Sequence, residues 1–308
     1  PLEGSTDFRL ERVEVERTQG TTERFEGDPF EALRELLRER EGVPEGAAIG
    51  YLGYGLKRHI ERLPDTVTDD LRIPDCHLAF YDRVHALDAR PLTPPEPSLG
   101  LPPRFEGLRS TFTREGYEAA VRRALAYIRA GDIYQVNLSQ RFEAPSGGDP
   151  FDAYLRLRIQ SPAPFGAYLP YPNFAVLSSS PERFLRYQSR DRFIETRPIK
   201  GTRPRGADAK SDGALAEELL ASEKDRAENV MIVDLERNDL GKVAEVGSVA
   251  VTGLCELETY ATVHHLTSTV QARLSAGRDM VDLLRATFPG GSITGAPKIR
   301  AMEIIDEL

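Results

Sequence analysis

Residues 193–206 read FIETRPIKGTRPRG, with Lys200 near the middle of the segment. This lysine is one of only six in a sequence that has 34 arginines. Arginine keeps its proton in proteins, whereas a lysine whose surroundings disfavour the charge can lose it and become a nucleophile. A solvated loop lysine is the simpler alternative. The neighbours favour a shaped site, because Pro198 fixes the backbone, Gly201 removes a side chain and Thr202 adds a hydroxyl group.

The composition is that of a soluble globular protein. The 308 residues are 40% hydrophobic and 29% charged, which allows one large or two ordinary domains. A net charge of −9 without a basic run argues against nucleic-acid binding. No apolar segment reaches membrane-spanning length, and the first residues lack the pattern of a signal peptide. We therefore expect a cytoplasmic protein with no nucleic-acid or membrane partner, in which Cys76 and Cys255 are free thiols.

A proline-rich segment divides the sequence. Residues 91–103 contain six prolines and are typical of a linker, so we place a boundary there and expect regions 1–103 and 104–308. Both ends look cut, since the chain lacks a starting Met and stops inside a helical pattern that begins at Ala296. We expect a fragment on this ground.

Hydrophobic periodicity and capping residues predict the elements. Helices are expected at 29–40, at 113–131 with an apolar face of Tyr117, Val121, Leu125 and Ile128, at 211–238 with a break near Ser222, at 279–288 and from 296 onward. Strands are expected at 8–15, 47–55, 133–142, 165–169, 174–179, 184–187, 192–196, 246–252 and 264–274. Runs of strands flanked by runs of helices predict an α+β fold with helices covering the sheet faces.

Carboxylates mark two further candidates. Glu182 follows a predicted strand at a proline turn, where a partly buried acid can exchange a proton, although pairing with a nearby base is equally consistent. Asp225 and Glu228 lie three residues apart on a predicted helix and therefore share a face. Such a pair can hold Mg²⁺, but it is also a common solvated feature. The apolar run at 230–235 favours burial of this helix.

Two other segments contribute polar groups. On the predicted strand 133–142, alternation places Gln135 and Asn137 on one face, which borders either a polar cavity or water. Residues 288–298, FPGGSITGAPK, form a glycine-rich loop that leads into a helix and suits an anion such as a carboxylate. For the adjacent His264 and His265, a satisfied core histidine is the default interpretation.

Together these segments resemble the chorismate-utilising enzyme family. The resemblance rests on GDIYQVNLSQRF (131–142), SPERF (180–184), TRPIKGTRPRG (196–206), KDRAENVMIVDLERNDLGKVA (224–244), HHLTSTV (264–270) and FPGGSITGAPKIRAMEIIDEL (288–308). It implies an α/β/β/α sandwich of large antiparallel sheets with outer helices, incomplete here at both ends. It also implies a magnesium-dependent enzyme that acts on chorismate.

The resemblance further implies a reaction. Family members that activate water carry a lysine where this chain has Gln135, which implies ammonia as the nucleophile here. Members that form anthranilate carry alanine in place of Lys200. The implied reaction is amination of chorismate at carbon 4 to 4-amino-4-deoxychorismate, towards p-aminobenzoate and folate. In it, Lys200 is the covalent nucleophile and Glu182 the general acid.

The same resemblance assigns the remaining roles. Glu228 and Asp225 match the positions of metal ligands. Residues expected to contact the substrate are Thr202, His265, Ser292, Thr294 and Gln135. Pro164 and Phe165 resemble half of the family's tryptophan pocket. Ammonia is expected from a glutaminase partner subunit, because this chain shows no glutaminase nucleophile motif.

Two alternatives remain open at this stage. One is synthesis of anthranilate, which loses the enolpyruvyl group that 4-amino-4-deoxychorismate keeps. The other is a non-catalytic relative that binds only a glutaminase or tryptophan. Because the family's later carboxylates lie beyond Leu308, we expect the 308-residue chain to be inactive by itself.

Overall fold

The computed structural model describes residues 11–16, 22–40, 46–64, 66, 68–86 and 107–308. Its strands are β1 (Glu11–Glu16), β2 (Thr22–Gly27), β3 (Ala47–Leu52), β4 (Cys76–Tyr81), β5 (Arg109–Ser110), β6 (Gln135–Val136), β7 (Phe142–Glu143), β8 (Phe165–Pro170), β9 (Ala175–Ser180), β10 (Arg183–Gln188), β11 (Phe193–Arg197), β12 (Ile199–Pro204), β13 (Ala250–Thr259), β14 (Val263–Arg273) and β15 (Gly295–Ala296). Its α-helices are α1 (Pro29–Glu39), α2 (Arg114–Ala130), α3 (Pro150–Gln160), α4 (Ala209–Ala221), α5 (Glu223–Gly241), α6 (Met280–Thr287) and α7 (Lys298–Glu307).

Five antiparallel strands form the largest sheet of the described residues. Strand β14 pairs with β11 and β12 along one edge and with β13 along the other, and β10 pairs with the outer side of β11. Helices α5 and α6 cover one face, where Ile194 and Val270 of the sheet pack against Val233, Leu240 and Leu283. Burial of these branched side chains is the main stabilising contribution on this face.

A second hydrophobic cluster connects the early part of the chain to α6. Phe30 and Leu56 pack against Val281, Leu284 and Phe288. The expected boundary and linker at 91–103 lie outside the described residues, so the two-region division stays a prediction. The shared cluster means that the described part of the first region has a common core with the second.

Capping residues set the helix ends where the sequence indicates them. The Thr113 side chain accepts from the Gly116 amide at the start of α2, and Gly131 ends this helix at φ 83°. Ser222 is both the C-cap of α4 and the N-cap of α5, which confirms the predicted break.

The predicted apolar face of α2 is wrong in detail: Leu125 and Ile128 are 43% and 37% exposed. The small residues Ala120 and Ala124 are the buried ones.

Several predicted strands differ from the structure. The stretch 133–142 forms only β6 and β7, because the two ends pair with different partners, β15 and β5. The strand expected from 246 begins instead at Ala250, after Gly247 at φ 80°. The final helix begins at Lys298 because Gly295 and Ala296 are used in β15. The strand expected at 8–15 is described only from residue 11.

A β-bulge displaces the backbone at Lys200. Ile199 pairs with Thr267 but Thr202 pairs with His265, so one extra residue is accommodated between them. Gly201 adopts φ +86°, a conformation that suits glycine. Bulges re-aim side chains and are frequent beside active sites. Lys200 therefore lies within the β12–β14 strand pair and not in a loop, which was the simpler alternative that the sequence left open.

Replacing Gly201 with alanine should destabilise the protein by about 1–3 kcal/mol. The positive φ disfavours any side chain, and an added Cβ would lie 2.8 Å from the Cβ of Asp225. Denaturant unfolding measures the effect. Gly213→Ala is the matched control, because an added Cβ at this position of α4 meets nothing within 4 Å. Alanine should stabilise the helix by about 1 kcal/mol relative to glycine. Equal stabilities of the two variants would contradict the prediction.

Candidate active site

Glu182 lies in the turn between β9 and β10, with its carboxylate directed at two other segments. Its Oε1 accepts a hydrogen bond from Ser292 Oγ at 2.6 Å. Burial raises the pKa of Glu182, while Ser292, the Lys200 charge and the Ile199 amide oppose this shift. A carboxyl group with a raised pKa holds its proton nearer to neutral pH and can donate it to a substrate.

Lys200 lies on β12 inside the bulge and is partly buried. Its positive charge opposes the rise in the pKa of Glu182, so the two side chains are close enough to interact electrostatically. The next residue, Gly201, lies against Asp225 at the start of α5. The structure therefore brings together the lysine, the acid and the first turns of α5, which are distant in sequence.

Gln135 and Glu228 form the side of this region that lies towards β6. Gln135 Nε2 donates to Glu228 Oε1 at 3.0 Å. Within the described part of the chain, the buried Gln135 Oε1 has no hydrogen-bond partner. A buried acceptor without a partner is costly, so this oxygen is suited to receive a hydrogen from a bound molecule.

Asp225 and Glu228 differ in their fitness for Mg²⁺. Magnesium binds one or two protein carboxylates and otherwise keeps water or substrate oxygens. Glu228 accepts a hydrogen bond from the neutral amide of Gln135, which leaves its negative charge suited to a ligand role. Asp225 is ion-paired with Arg203 at 3.2 Å. Among the described residues, three or more His, Cys, Asp or Glu side chains do not meet in a metal-binding group.

Thr202 and His265 connect β12 with β14. Thr202 Oγ1 and His265 Nδ1 are 2.9 Å apart. Burial lowers the pKa of His265, which keeps the imidazole neutral at physiological pH. The neighbouring His264 points the other way and bonds Thr259 and Asp212 at 2.9 Å each. The two histidines therefore have different surroundings, and only His265 lies beside Thr202.

The glycine-rich loop uses its two hydroxyl groups differently. Ser292 reaches Glu182, and its carbonyl accepts from Asn137 Nδ2 at 2.8 Å. Thr294 is fully buried, and its hydroxyl contacts the carbonyls of Gly290 at 3.1 Å and Gly291 at 3.3 Å. Ser292 is thus part of the candidate site, whereas Thr294 holds the loop together.

Lys298 fixes the start of this loop. Its ammonium donates to the carbonyls of Thr287 at 2.9 Å and Pro289 at 2.7 Å, and to the buried carboxylate of Asp239. All three hydrogens are therefore used within the protein. The anion-binding role expected of the loop does not involve this lysine.

The expected tryptophan pocket lies elsewhere. Pro164 borders a surface cavity of about 230 Å³ that Tyr154 and Arg158 of α3 also line. Phe165 is 38% exposed and lies under the guanidinium of Arg183, 5.3 Å from its ring centroid. This cavity is built from α3 and the β8–β9 hairpin rather than from the Lys200 bulge.

Three groups at the site were not identified from the sequence. Arg203 pairs with Asp225, the Asp239–Lys298 pair supports the loop, and Glu236 lies under it. The position of Glu236 carried a signal, since eight residues after Glu228 is close to the same face of a helix. The two ion pairs could not be predicted from the sequence, because each joins segments that are far apart along the chain.

The site and fold define a class of protein. A family model described as chorismate binding enzyme matches residues 6–308, so the chain belongs to the chorismate-binding enzyme family. In the described part of the chain, none of the helices has the length and apolar character needed to cross a membrane.

Individual relatives carry two kinds of name. Aminodeoxychorismate synthase component 1 of Salmonella typhimurium is 48% identical over 307 residues, covering 91% of this chain and 67% of that protein. Anthranilate synthase component 1 of Thermus thermophilus is 43% identical over 314 residues, covering 91% of this chain and 68% of that protein. The chain spans about two thirds of the length of these curated relatives.

A solved structure supports the fold class. The crystal structure of anthranilate synthase component I from Streptococcus pneumoniae matches with a TM-score of 0.76 and 30% identity, covering 100% of this chain and 80% of that one. The expected α+β fold with antiparallel sheets and helices is thereby confirmed. The roles of the individual site residues stay predictions.

Proposed function

We propose that the protein aminates chorismate at carbon 4, giving 4-amino-4-deoxychorismate for p-aminobenzoate and folate synthesis. The observation that carries the proposal is the position of Lys200 in the β12 bulge, where its charge acts on the Glu182 carboxyl group. Relatives named aminodeoxychorismate synthase component 1 are 39–48% identical to this chain, which supports the same reaction. In terms of reaction class it is an amino-group transfer.

The chain's own groups account for each proton and bond. The Lys200 amine forms a bond to ring carbon 2 while the bond from carbon 4 to its hydroxyl breaks. Glu182 donates the proton that lets this hydroxyl leave as water. Ammonia then bonds to carbon 4 as the bond between carbon 2 and Lys200 breaks, and the proton that the new ammonium group loses returns to the Glu182 carboxylate. The net change is replacement of a hydroxyl group by an amino group.

The neighbours of this pair position the reactants. Ser292 orients the Glu182 carboxyl through its hydrogen bond. Gln135 offers its unpaired Oε1 as an acceptor for an N–H of ammonia, and its neutral amide cannot take a proton from water as a lysine amine can. Thr202 and the neutral His265 form the wall beside Lys200. The Thr294 hydroxyl donates to a carbonyl of its own loop, so Thr294 supports the site by holding the shape of that loop.

Magnesium is the proposed cofactor. Glu228 would hold it, and Asp225 would join only by sharing its carboxylate with Arg203. When bound, a hard dication of this kind neutralises and orients the carboxylates of an anionic substrate.

The proposed partner is a glutaminase subunit that supplies ammonia, and the proposed location is the cytoplasm. The name "component 1" of these relatives supports the existence of a second component. Tryptophan binding at Pro164 and Phe165 is a further proposal, supported only by the cavity that Pro164 lines.

The test is product identity. The complete protein, supplied with chorismate, Mg²⁺ and an ammonium salt, should form a product that keeps the enolpyruvyl group. Chromatography with mass spectrometry distinguishes it from anthranilate. Formation of anthranilate would favour the alternative that the Thermus thermophilus relative represents. No turnover with ammonia or with the glutaminase partner would favour a non-catalytic relative.

A further inference from the structure

Glu236 lies on α5 beneath the glycine-rich loop, outside the groups that the proposed reaction uses. It borders a small, partly open pocket of about 10 Å³, together with Thr196, Phe184, Asp239, Gly290 and Gly291. Such a volume has room for about one water molecule. The pocket separates α5 from the turn at residues 290–291, which leads directly to Ser292.

The hydrogen bonds of Thr196 indicate which form Glu236 takes. Thr196 Oγ1 lies 2.8 Å from the carbonyl oxygen of Phe184 and 3.0 Å from Glu236 Oε2. A hydroxyl group has one hydrogen, and the carbonyl can only accept it. Phe184 lies where the β10–β11 register shifts, and its carbonyl is the closer of the two acceptors. With the Thr196 hydrogen on this carbonyl, the hydrogen in the second contact comes from the Glu236 carboxyl group.

The surrounding charges agree with a neutral acid. The pKa of Glu236 is raised to about 8, chiefly by burial and also by the negative charges of Glu182 and Asp239, while Thr196 and Lys298 oppose the shift. These four groups come from β11, the β9–β10 turn, α5 and α7. If Glu236 lost its proton, its carboxylate and the Phe184 carbonyl would compete for the single hydrogen of the Thr196 hydroxyl group. The ionised carboxylate would also add a negative charge near Glu182.

We propose that Glu236 is a positioning residue of the candidate active site, which in its neutral form joins β11 to α5 under the loop and so keeps Ser292 on Glu182. Its ionisation breaks this join and lowers activity at alkaline pH. The activity part of this inference rests on the proposed amination reaction. The protonation part does not, because it concerns the folded protein alone.

Glu236→Gln tests both parts in the complete protein. Thermal unfolding of this variant and of the wild type is measured from pH 5 to 9. A carboxyl whose pKa rises on folding stabilises less as pH climbs from its unfolded to its folded value. The melting temperature of the variant relative to wild type should therefore increase up to about pH 8 and then level off. A difference that is constant with pH overturns the proposal, whether or not the protein aminates chorismate.

The kinetic arm asks whether this proton matters for the site. The pH profile of wild-type kcat should contain a fall near pH 8 in addition to the fall set by Glu182, and in Glu236→Gln only this added component should disappear, because the amide never ionises and can still donate to Thr196. Thr196→Val should lower kcat and flatten the component near pH 8, because the join to Glu236 is then absent at every pH, and Thr196→Ser should restore both kcat and that component. An unaltered component near pH 8 in Glu236→Gln overturns the positioning role. Absence of any amination by the wild type refutes the proposed function and the kinetic part together, while the unfolding comparison still decides the protonation state.

Discussion

Replacement of Lys200 by alanine should lower the rate of amination at carbon 4 by ~10³-fold or more, which is about 4 kcal/mol of transition-state stabilisation. The amine is proposed to form a covalent bond to the substrate, and no other lysine of the chain occupies this bulge. Steady-state assay of 4-amino-4-deoxychorismate measures the change. Amination at carbon 4 that continued unaltered would exclude a covalent role for this residue.

Lys200→Arg is the matched control for charge. The guanidinium keeps a positive charge near Glu182, yet it does not lose its proton and cannot act as the nucleophile. We expect it to be as inactive as the alanine variant, although binding of the anionic substrate should survive better. Substantial activity in Lys200→Arg would mean that Lys200 acts by charge alone.

Replacement of Glu182 by glutamine should lower kcat by about 10²- to 10⁴-fold, because an amide of the same shape cannot donate the proton that the leaving hydroxyl requires. In the wild type the acid must be protonated, so activity should fall as pH rises through the pKa of Glu182, which burial holds above its ordinary value. The pH dependence of kcat measures this. A glutamine variant with near wild-type kcat would assign the proton to another group.

Ser292→Ala provides a graded control for the same acid. The serine hydroxyl donates to Glu182 and so favours the ionised carboxylate. Its removal should raise the pKa of Glu182 further and move the Glu182-dependent fall in activity to higher pH. A shift in the opposite direction would show that the hydrogen bond stabilises the neutral acid instead.

Local chemistry explains why much of the fold could be predicted. Thr113, Gly131 and Ser222 each lie at the end of an apolar helical repeat, and each caps a helix there. The unpaired amides and carbonyls of a helix end need nearby partners, so such residues can be recognised from the sequence. The stretch 133–142 was predicted as one strand and is not. Its alternation was correct at Gln135, but pairing with β15 at one end and β5 at the other is decided by segments far along the chain.

By itself the sequence determined the family and the α+β class and singled out Lys200, Glu182 and Glu228 as candidate site residues, because motif spacing and periodicity are properties of neighbouring residues. Tertiary structure alone decided that Ser292 contacts Glu182, 110 residues away in sequence, and that Arg203 forms an ion pair with Asp225. It also decided that Thr294 faces its own loop and that Glu236 lies enclosed under it. Burial and pairing depend on which distant segments pack together, and burial in this packing raises the pKa values of Glu182 and Glu236.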